Sequence, residues 1–142
     1  MSSKIKAEHD ALLEAMLLAA GADGKVTKPE LEAIFARIYA HPEFSTYEKD
    51  HLREAVERAS HRVTGYASVQ DACEAIASRL ETITSRELAF RCAASVALVD
   101  HKADYRELKT LKALQDAFGL TESRIVTLFE QAEDDADAVP KL

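Results

Sequence analysis

The sequence has 142 residues, enough for one domain that folds without a disulfide or a structural metal. Its formal net charge of −7 disfavours nonspecific binding to nucleic acid or to anionic membrane surfaces. Four glycines, three prolines and no tryptophan accompany abundant Ala, Leu and Glu, a composition that favours helix.

Apolar residues at helical spacing predict a first helix over residues 5–20. Its last two turns are apolar nearly all round, which is typical of a central helix. Thr27 and Glu30 have the spacing of a capping box, which predicts the start of helix two. A second box at Ser45 and Glu48 predicts the start of helix three.

The middle of the chain reads as a connector followed by a linking helix. Gly65 is predicted to break helix three, and the linking helix is expected over about residues 68–82, capped by Ser68. Thr84 and Glu87 form a further capping box, which predicts the start of helix five. Like helix one, helix five becomes apolar at its end.

Two more helices are predicted near the C-terminus. Asp104 and Glu107 repeat the capping pattern before helix six, whose apolar positions include Leu108. Gly119 suits a position with positive φ after that helix, and Thr121 then caps helix seven. The acidic tail over residues 133–142 is predicted to be a frayed, solvated end.

The predicted fold is therefore all-α, a compact bundle of about seven helices in a single domain over residues 1–142. The order of three helices, a linking helix and three helices indicates an internal duplication with a pseudo-two-fold axis. Repeat one covers about residues 5–60 and repeat two about residues 85–132. No segment shows the sustained alternation of a β-strand.

Helices one and five are expected to pair at the centre of the duplicated fold. Both carry small residues that permit close approach: Ala15, Ala19, Ala93 and Ala97. Glu14 in helix one and Arg91 in helix five occupy matching places, so we also expect these two side chains to pair across the pseudo-two-fold axis.

Each half contains one acidic corner, in which an Asp precedes a Glu by seven positions. The four carboxylates are Asp23, Glu30, Asp100 and Glu107. His101 and Asp104 are possible additional ligands. Such hard oxygen ligands favour Ca²⁺, Mg²⁺ or Mn²⁺ over soft metals. A working EF-hand is excluded, because the first two ligand positions of such a loop hold no side-chain oxygen in either corner.

A second interpretation of the acidic corners involves no metal. Glu30 and Glu107 occupy positions where a carboxylate caps a helix and meets its positive end. Asp23 and Asp100 sit where a short carboxylate satisfies turn amides. A duplication would repeat this spacing whether the acidic residues cap helices or bind a metal, so the repeated spacing leaves both interpretations open.

The remaining reactive residue types predict no catalytic site. Cys73 and Cys92 fall on apolar helix faces and are expected to be reduced core residues, which suits a cytoplasmic protein. The five histidines form no HxxxH pair and are expected at the surface or at the core edge. Neither a phosphate-binding loop nor a nucleophile elbow is present, so we predict that the protein is not an enzyme. The N-terminal residues lack the apolar stretch of a signal peptide.

The first corner carries the residues of a known family. The segment AGADGKV at residues 20–26, followed by Glu30 and Leu31, resembles the signature of the tellurite-resistance TerB-like family. Residues 99–108 resemble its second, more degenerate copy, with His101 in place of the Gly of the first.

The resemblance implies a compact all-α fold of about seven helices and a role in bacterial tellurite and chemical-stress resistance. It also implies a relation to a domain of a membrane-anchored DnaJ-type co-chaperone. The cation-binding role proposed for the acidic residues of that family carries over to Asp23, Glu30, Asp100 and Glu107.

The functional prediction is a non-enzymatic, cytoplasmic TerB-like module of a stress response that binds a divalent cation through its acidic turns. Its expected partners are proteins of that response, with neither nucleic acid nor direct membrane insertion, and no oligomeric state is predicted. The alternative is a metal-free helical adaptor that binds other proteins through an exposed apolar groove between helices.

Overall fold

The computed structural model describes residues 7–21, 27–98 and 105–138, and these residues form seven α-helices and no strand. The helices are α1 (Ala7–Ala19), α2 (Lys28–Ala40), α3 (Lys49–Thr64), α4 (Val69–Ser78), α5 (Ile83–Ala97), α6 (Tyr105–Phe118) and α7 (Glu122–Ala138). A 3₁₀ turn, Pro42–Phe44, lies between α2 and α3. The predicted all-α bundle is confirmed.

The centre of the bundle is α1, in which every residue from 11 to 19 is buried. It packs most extensively on α5, as predicted, and also on α3, α4 and α6. The four small residues expected at this contact are all buried: Ala15, Ala19, Ala93 and Ala97. In the second half α5 packs on α6 and α7. The internal duplication itself stays a prediction.

Several helix ends follow the local sequence signals. Thr27 and Glu30 form a complete capping box at the start of α2. The Ser68 hydroxyl accepts a hydrogen bond from the first turn of α4, and Thr121 does the same for α7. Gly119 adopts φ 71°, a conformation that L side chains rarely take, so glycine is favoured after α6.

The start of α3 was predicted wrongly. Instead of a box at Ser45, the 3₁₀ turn Pro42–Phe44 follows α2, and the N-cap of α3 is Glu48, which makes no side-chain capping bond. His41 caps the 3₁₀ turn, since its Nδ1 accepts from the Glu43 backbone N–H. Phe44 is fully buried, so packing holds this turn and delays the helix.

The start of α5 is also earlier than predicted. Thr82 and Ser85 form the capping box, two residues before the expected pair. Ser85 is buried, whereas Glu87 turns outward and binds Arg124 of α7. Overlapping Thr-x-x-polar patterns thus compete, and burial selects between them.

The acidic tail is helical rather than frayed up to Ala138, which corrects the prediction for most of residues 133–142. Asp135 and Ala136 are buried within it. Leu108, one of the apolar positions of the predicted helix six, leaves 48% of its surface exposed. Residues 139–142 and Asp104 lie outside the described residues.

Candidate functional site

The predicted acidic corners are only partly within the described structure. Glu30 and Glu107 are described, in the first turns of α2 and α6. The other candidates lie outside the described residues: Asp23, Asp100, His101 and Asp104. Within the described part of the chain no group of three or more His, Cys, Asp and Glu side chains is arranged to hold a metal. The metal site therefore stays a prediction.

Glu30 is an exposed carboxylate that is held by Thr27. The Thr27 backbone N–H donates to Glu30 Oε1 at 2.9 Å, and the Glu30 backbone N–H donates to the Thr27 hydroxyl at 3.3 Å. The bond from the Thr27 backbone, with a contribution from its side chain, lowers the pKa of Glu30. Glu30 thus caps the helix as an ionised carboxylate, and no described residue donates a hydrogen bond to its Oε2.

A fully buried carboxylate, Glu14, lies in α1. Its Oε1 accepts from Arg79 at 2.7 Å and from the Tyr66 hydroxyl at 3.0 Å. Its Oε2 accepts from Arg62 at 2.6 Å and from Arg79 at 2.8 Å. Arg62 lies in the last turn of α3 and Arg79 is the C-cap of α4, positions where the helix dipole favours cations.

The pKa of Glu14 lies below its ordinary value. Burial raises this pKa, but the hydrogen bonds from Arg79 and Arg62 and the charge of Arg79 together outweigh burial. Glu14 is therefore an ionised group that ties α1 to the C-terminal ends of α3 and α4. The predicted pair of Glu14 with Arg91 is wrong, because α1 turns this side chain towards α3 and α4.

Arg91 binds the C-terminal part of α7 instead. Its Nε and Nη2 donate to the two oxygens of Asp135 at 2.6 and 2.9 Å, a bidentate arrangement. The Asp135 side chain is 10% exposed. This pair joins α5 to the C-terminal part of α7, which was predicted to be solvated.

His41 lies beside Asp135, and 4% of the residue is exposed. Because Nδ1 accepts from the Glu43 N–H, we assign the proton of the neutral ring to Nε2, which is 3.6 Å from Asp135 Oδ2. Nε2 is buried and has no hydrogen-bond partner among the described residues. Burial lowers the pKa of His41, although the nearby carboxylates of Asp135 and Glu43 oppose that shift.

His9 completes this side of the bundle. Its Nε2 is 2.9 Å from Glu43 Oε2, and its Nδ1 shares a hydrogen bond with the Tyr47 hydroxyl. The ring also packs against Phe44. His9 thus joins α1 to the 3₁₀ turn, and His41 lies between that turn and Asp135 of α7.

An exposed groove runs between α2 and α3, with a volume of about 440 Å³. We call it the α2–α3 groove. Its lining residues are Glu32, Phe35, Ala36, Tyr39, Ala40, Lys49 and Arg53. The rings of Phe35 and Tyr39 stack with an interplanar angle of 13°. This groove is of the kind that the adaptor interpretation requires.

The family model for Tellurite resistance protein TerB matches residues 9–136. The chain belongs to the TerB family. The resemblance seen at residues 20–26 is confirmed by this match, which extends over both halves. No curated protein and no solved structure gives a significant match. In this TerB-family chain, none of the described helices has the length and apolarity needed to cross a bilayer.

The buried network of the TerB-family chain was not visible in the sequence. The histidines were expected at the surface or the core edge, and the acidic tail in solvent. His41 and Asp135 are 94 positions apart, and neither belongs to a sequence motif that would predict contact with the other. The available signal was the placement of Arg91 beside the apolar C-terminal part of α5, which predicts that a carboxylate approaches it.

Lowering the pH is expected to destabilise the protein through His41. Its pKa is lowered by folding, so its contribution is complete above the unfolded pKa of about 6.5 and is lost as pH falls towards the folded pKa. In His41→Asn the amide oxygen can still accept from Glu43 N–H, but nothing titrates. Urea unfolding measures the free energy of unfolding at neutral and at mildly acidic pH. Between these two conditions it should fall less for His41→Asn than for the wild type. His51→Asn, at a half-exposed site, is the control; equal pH dependence in all three proteins would contradict the prediction.

Proposed function

We propose that this chain is a non-enzymatic module of a bacterial tellurite or chemical-stress response that works in the cytoplasm and binds a divalent cation. The observation that carries the proposal is the TerB family match over residues 9–136. The residues that would hold the cation are Asp23, Glu30, Asp100 and Glu107, with His101 and Asp104 as additional ligands.

The chemistry of Glu30 supports cation binding. A ligand carboxylate must be deprotonated, and the lowered pKa of Glu30 satisfies this requirement at neutral pH. One oxygen accepts from Thr27, which fixes the carboxylate at the start of α2. The other oxygen accepts from no described residue. Capping and coordination are therefore compatible roles for the same side chain, and Ca²⁺, Mg²⁺ or Mn²⁺ suits such oxygen ligands.

The state of the thiols supports a non-enzymatic role. Cys73 and Cys92 are free and buried. Burial raises the pKa of Cys73 to about 12 and also raises that of Cys92. Since the thiolate is the nucleophile and the metal ligand, both residues are inert at neutral pH.

Metal titration tests the proposal. A cation that binds only the native state should raise the melting temperature, with about 2.7 kcal/mol of stabilisation at a hundredfold excess over Kd. Calorimetry with Ca²⁺, Mg²⁺ and Mn²⁺ should identify the preferred ion. In Glu30→Gln the amide oxygen keeps the cap, so stability without metal should change little while affinity falls.

The matched control is Asp50→Asn, an exposed acidic residue in the first turn of another helix, α3. It should leave metal affinity unchanged. The absence of both heat and melting shift up to millimolar metal would refute cation binding. The alternative function, a metal-free adaptor, is favoured by the α2–α3 groove and predicts that outcome.

A further inference from the structure

We propose that the α2–α3 groove is a docking site for an acidic peptide segment of a protein partner, with an apolar or aromatic side chain as its anchor. The proposal concerns a surface that contains none of the predicted metal ligands. It therefore stands or falls separately from cation binding.

The floor of the groove suits an apolar anchor. Phe35 is buried, whereas Tyr39, one turn along α2, is stacked on it and leaves 41% of its surface exposed. Ala36 and Ala40 have small side chains and leave space beside these rings. The volume of about 440 Å³ is within the range of pockets that bury a ligand group.

One wall of the groove is preorganised. The Arg53 guanidinium of α3 lies 4.3 Å from the centre of the Phe35 ring and forms an ion pair with Glu32 of α2. This bridge neutralises Arg53 and holds the two helices together across the groove. A partner thus meets a surface that needs little ordering when it binds.

The other wall carries a cation, Lys49. The Lys49 ammonium lies 5.7 Å from the centre of the Tyr39 ring, and within the described part of the chain it forms no ion pair. Lys49 opens α3, at the helix end where anions are favoured, and the N-cap Glu48 makes no capping bond there. A carboxylate next to the anchor would meet both the ammonium and the positive end of α3.

The overall charge disfavours the other occupants. Two copies of a chain with a net charge of −7 repel each other, and the same charge opposes nucleic acid and anionic membranes. A short segment with one or two carboxylates carries little charge of its own, so it can pair with Lys49 and insert an apolar anchor against only a weak, screened repulsion. The fit is therefore to an acidic, apolar peptide.

Selection of a displayed library of random short peptides on the full chain tests the proposal. The enriched peptides should combine an apolar or aromatic residue with Asp or Glu. Lys49→Glu should weaken their binding by about tenfold, because it replaces an attraction by a repulsion. Replacing the acidic residue of the peptide by Lys should restore binding to that variant. Tyr39→Ala should also weaken binding.

Matched controls are Lys109→Glu on α6 and Val126→Ala on α7, both at exposed positions, and circular dichroism should show that all variants fold. The proposal is wrong if no peptides are enriched, if the enriched peptides lack acidic residues, or if Lys49→Glu and Lys109→Glu bind equally well. Concentration-dependent dimerisation that Tyr39→Ala abolishes would assign the groove to a second copy and would also overturn it.

Discussion

Glu14→Gln is expected to lower the free energy of unfolding by about 3 kcal/mol, the lower end of the cost of breaking a buried ion pair. The substitution keeps the size of the side chain, so packing in α1 is preserved. It removes the charge that Arg62 and Arg79 share and places an amide group where only acceptors fit. The value is at the lower end because both arginine side chains are about one-third exposed and regain some hydration.

The effect of Glu14→Gln should depend on pH. The folded pKa of Glu14 is lowered, so the stabilisation is complete above the unfolded carboxyl pKa of about 4.3 and is lost as pH falls through the folded value. In urea unfolding from neutral to acidic pH, the free energies of unfolding of the wild type and the variant should therefore become equal in acid.

The control for this prediction is Glu87→Gln. Glu87 also forms a bidentate pair, with Arg124, but its partner is 45% exposed. Removing such a pair should cost less than about 1 kcal/mol. If Glu14→Gln were as mild as Glu87→Gln, or if its effect did not change with pH, the buried network would not stabilise the fold in the way described.

Contacts between residues that are close in the sequence could be predicted, whereas contacts between residues that are far apart in the sequence could not. The cap formed by Thr27 and Glu30 was predictable, because both partners lie within one helical turn. The central position of α1 was predictable from the apolar residues around it. The partners of Glu14 were not, since Arg62 and Arg79 are 48 and 65 positions away. The periodicity placed Glu14 inside the bundle without saying which helix end it meets.

Competition between similar local signals accounts for other errors. Two overlapping patterns precede α5, and tertiary packing selects Thr82 because it buries Ser85. At the acidic corners, Glu30 forms its cap within the described structure, whereas Asp23 and Asp100 lie outside the described residues. The capping role of Glu30 is established by its geometry, and the ligand role stays a prediction.

Asp135→Asn is expected to lower the free energy of unfolding by about 2 kcal/mol, since charge-assisted hydrogen bonds are worth about 1.5–3 kcal/mol. The substitution breaks the bidentate pair with Arg91 and leaves one amide N–H group facing the guanidinium. Chemical denaturation measures the loss. The control is Asp134→Asn at the exposed neighbouring position, where a change within about 0.5 kcal/mol is expected.

Hydrogen exchange should locate the loss caused by Asp135→Asn. The Arg91 pair and the buried Ala136 fasten the last turns of α7 to the bundle, so the amides there should be protected in the wild type and should exchange faster in the variant. The amides in the first turns of α2 should respond only to the global change in stability. If the last turns of α7 exchange freely in the wild type, the acidic segment is the frayed end that its composition suggested. In that case His41 would also face solvent rather than a buried carboxylate, and its pH dependence would disappear with the helix end.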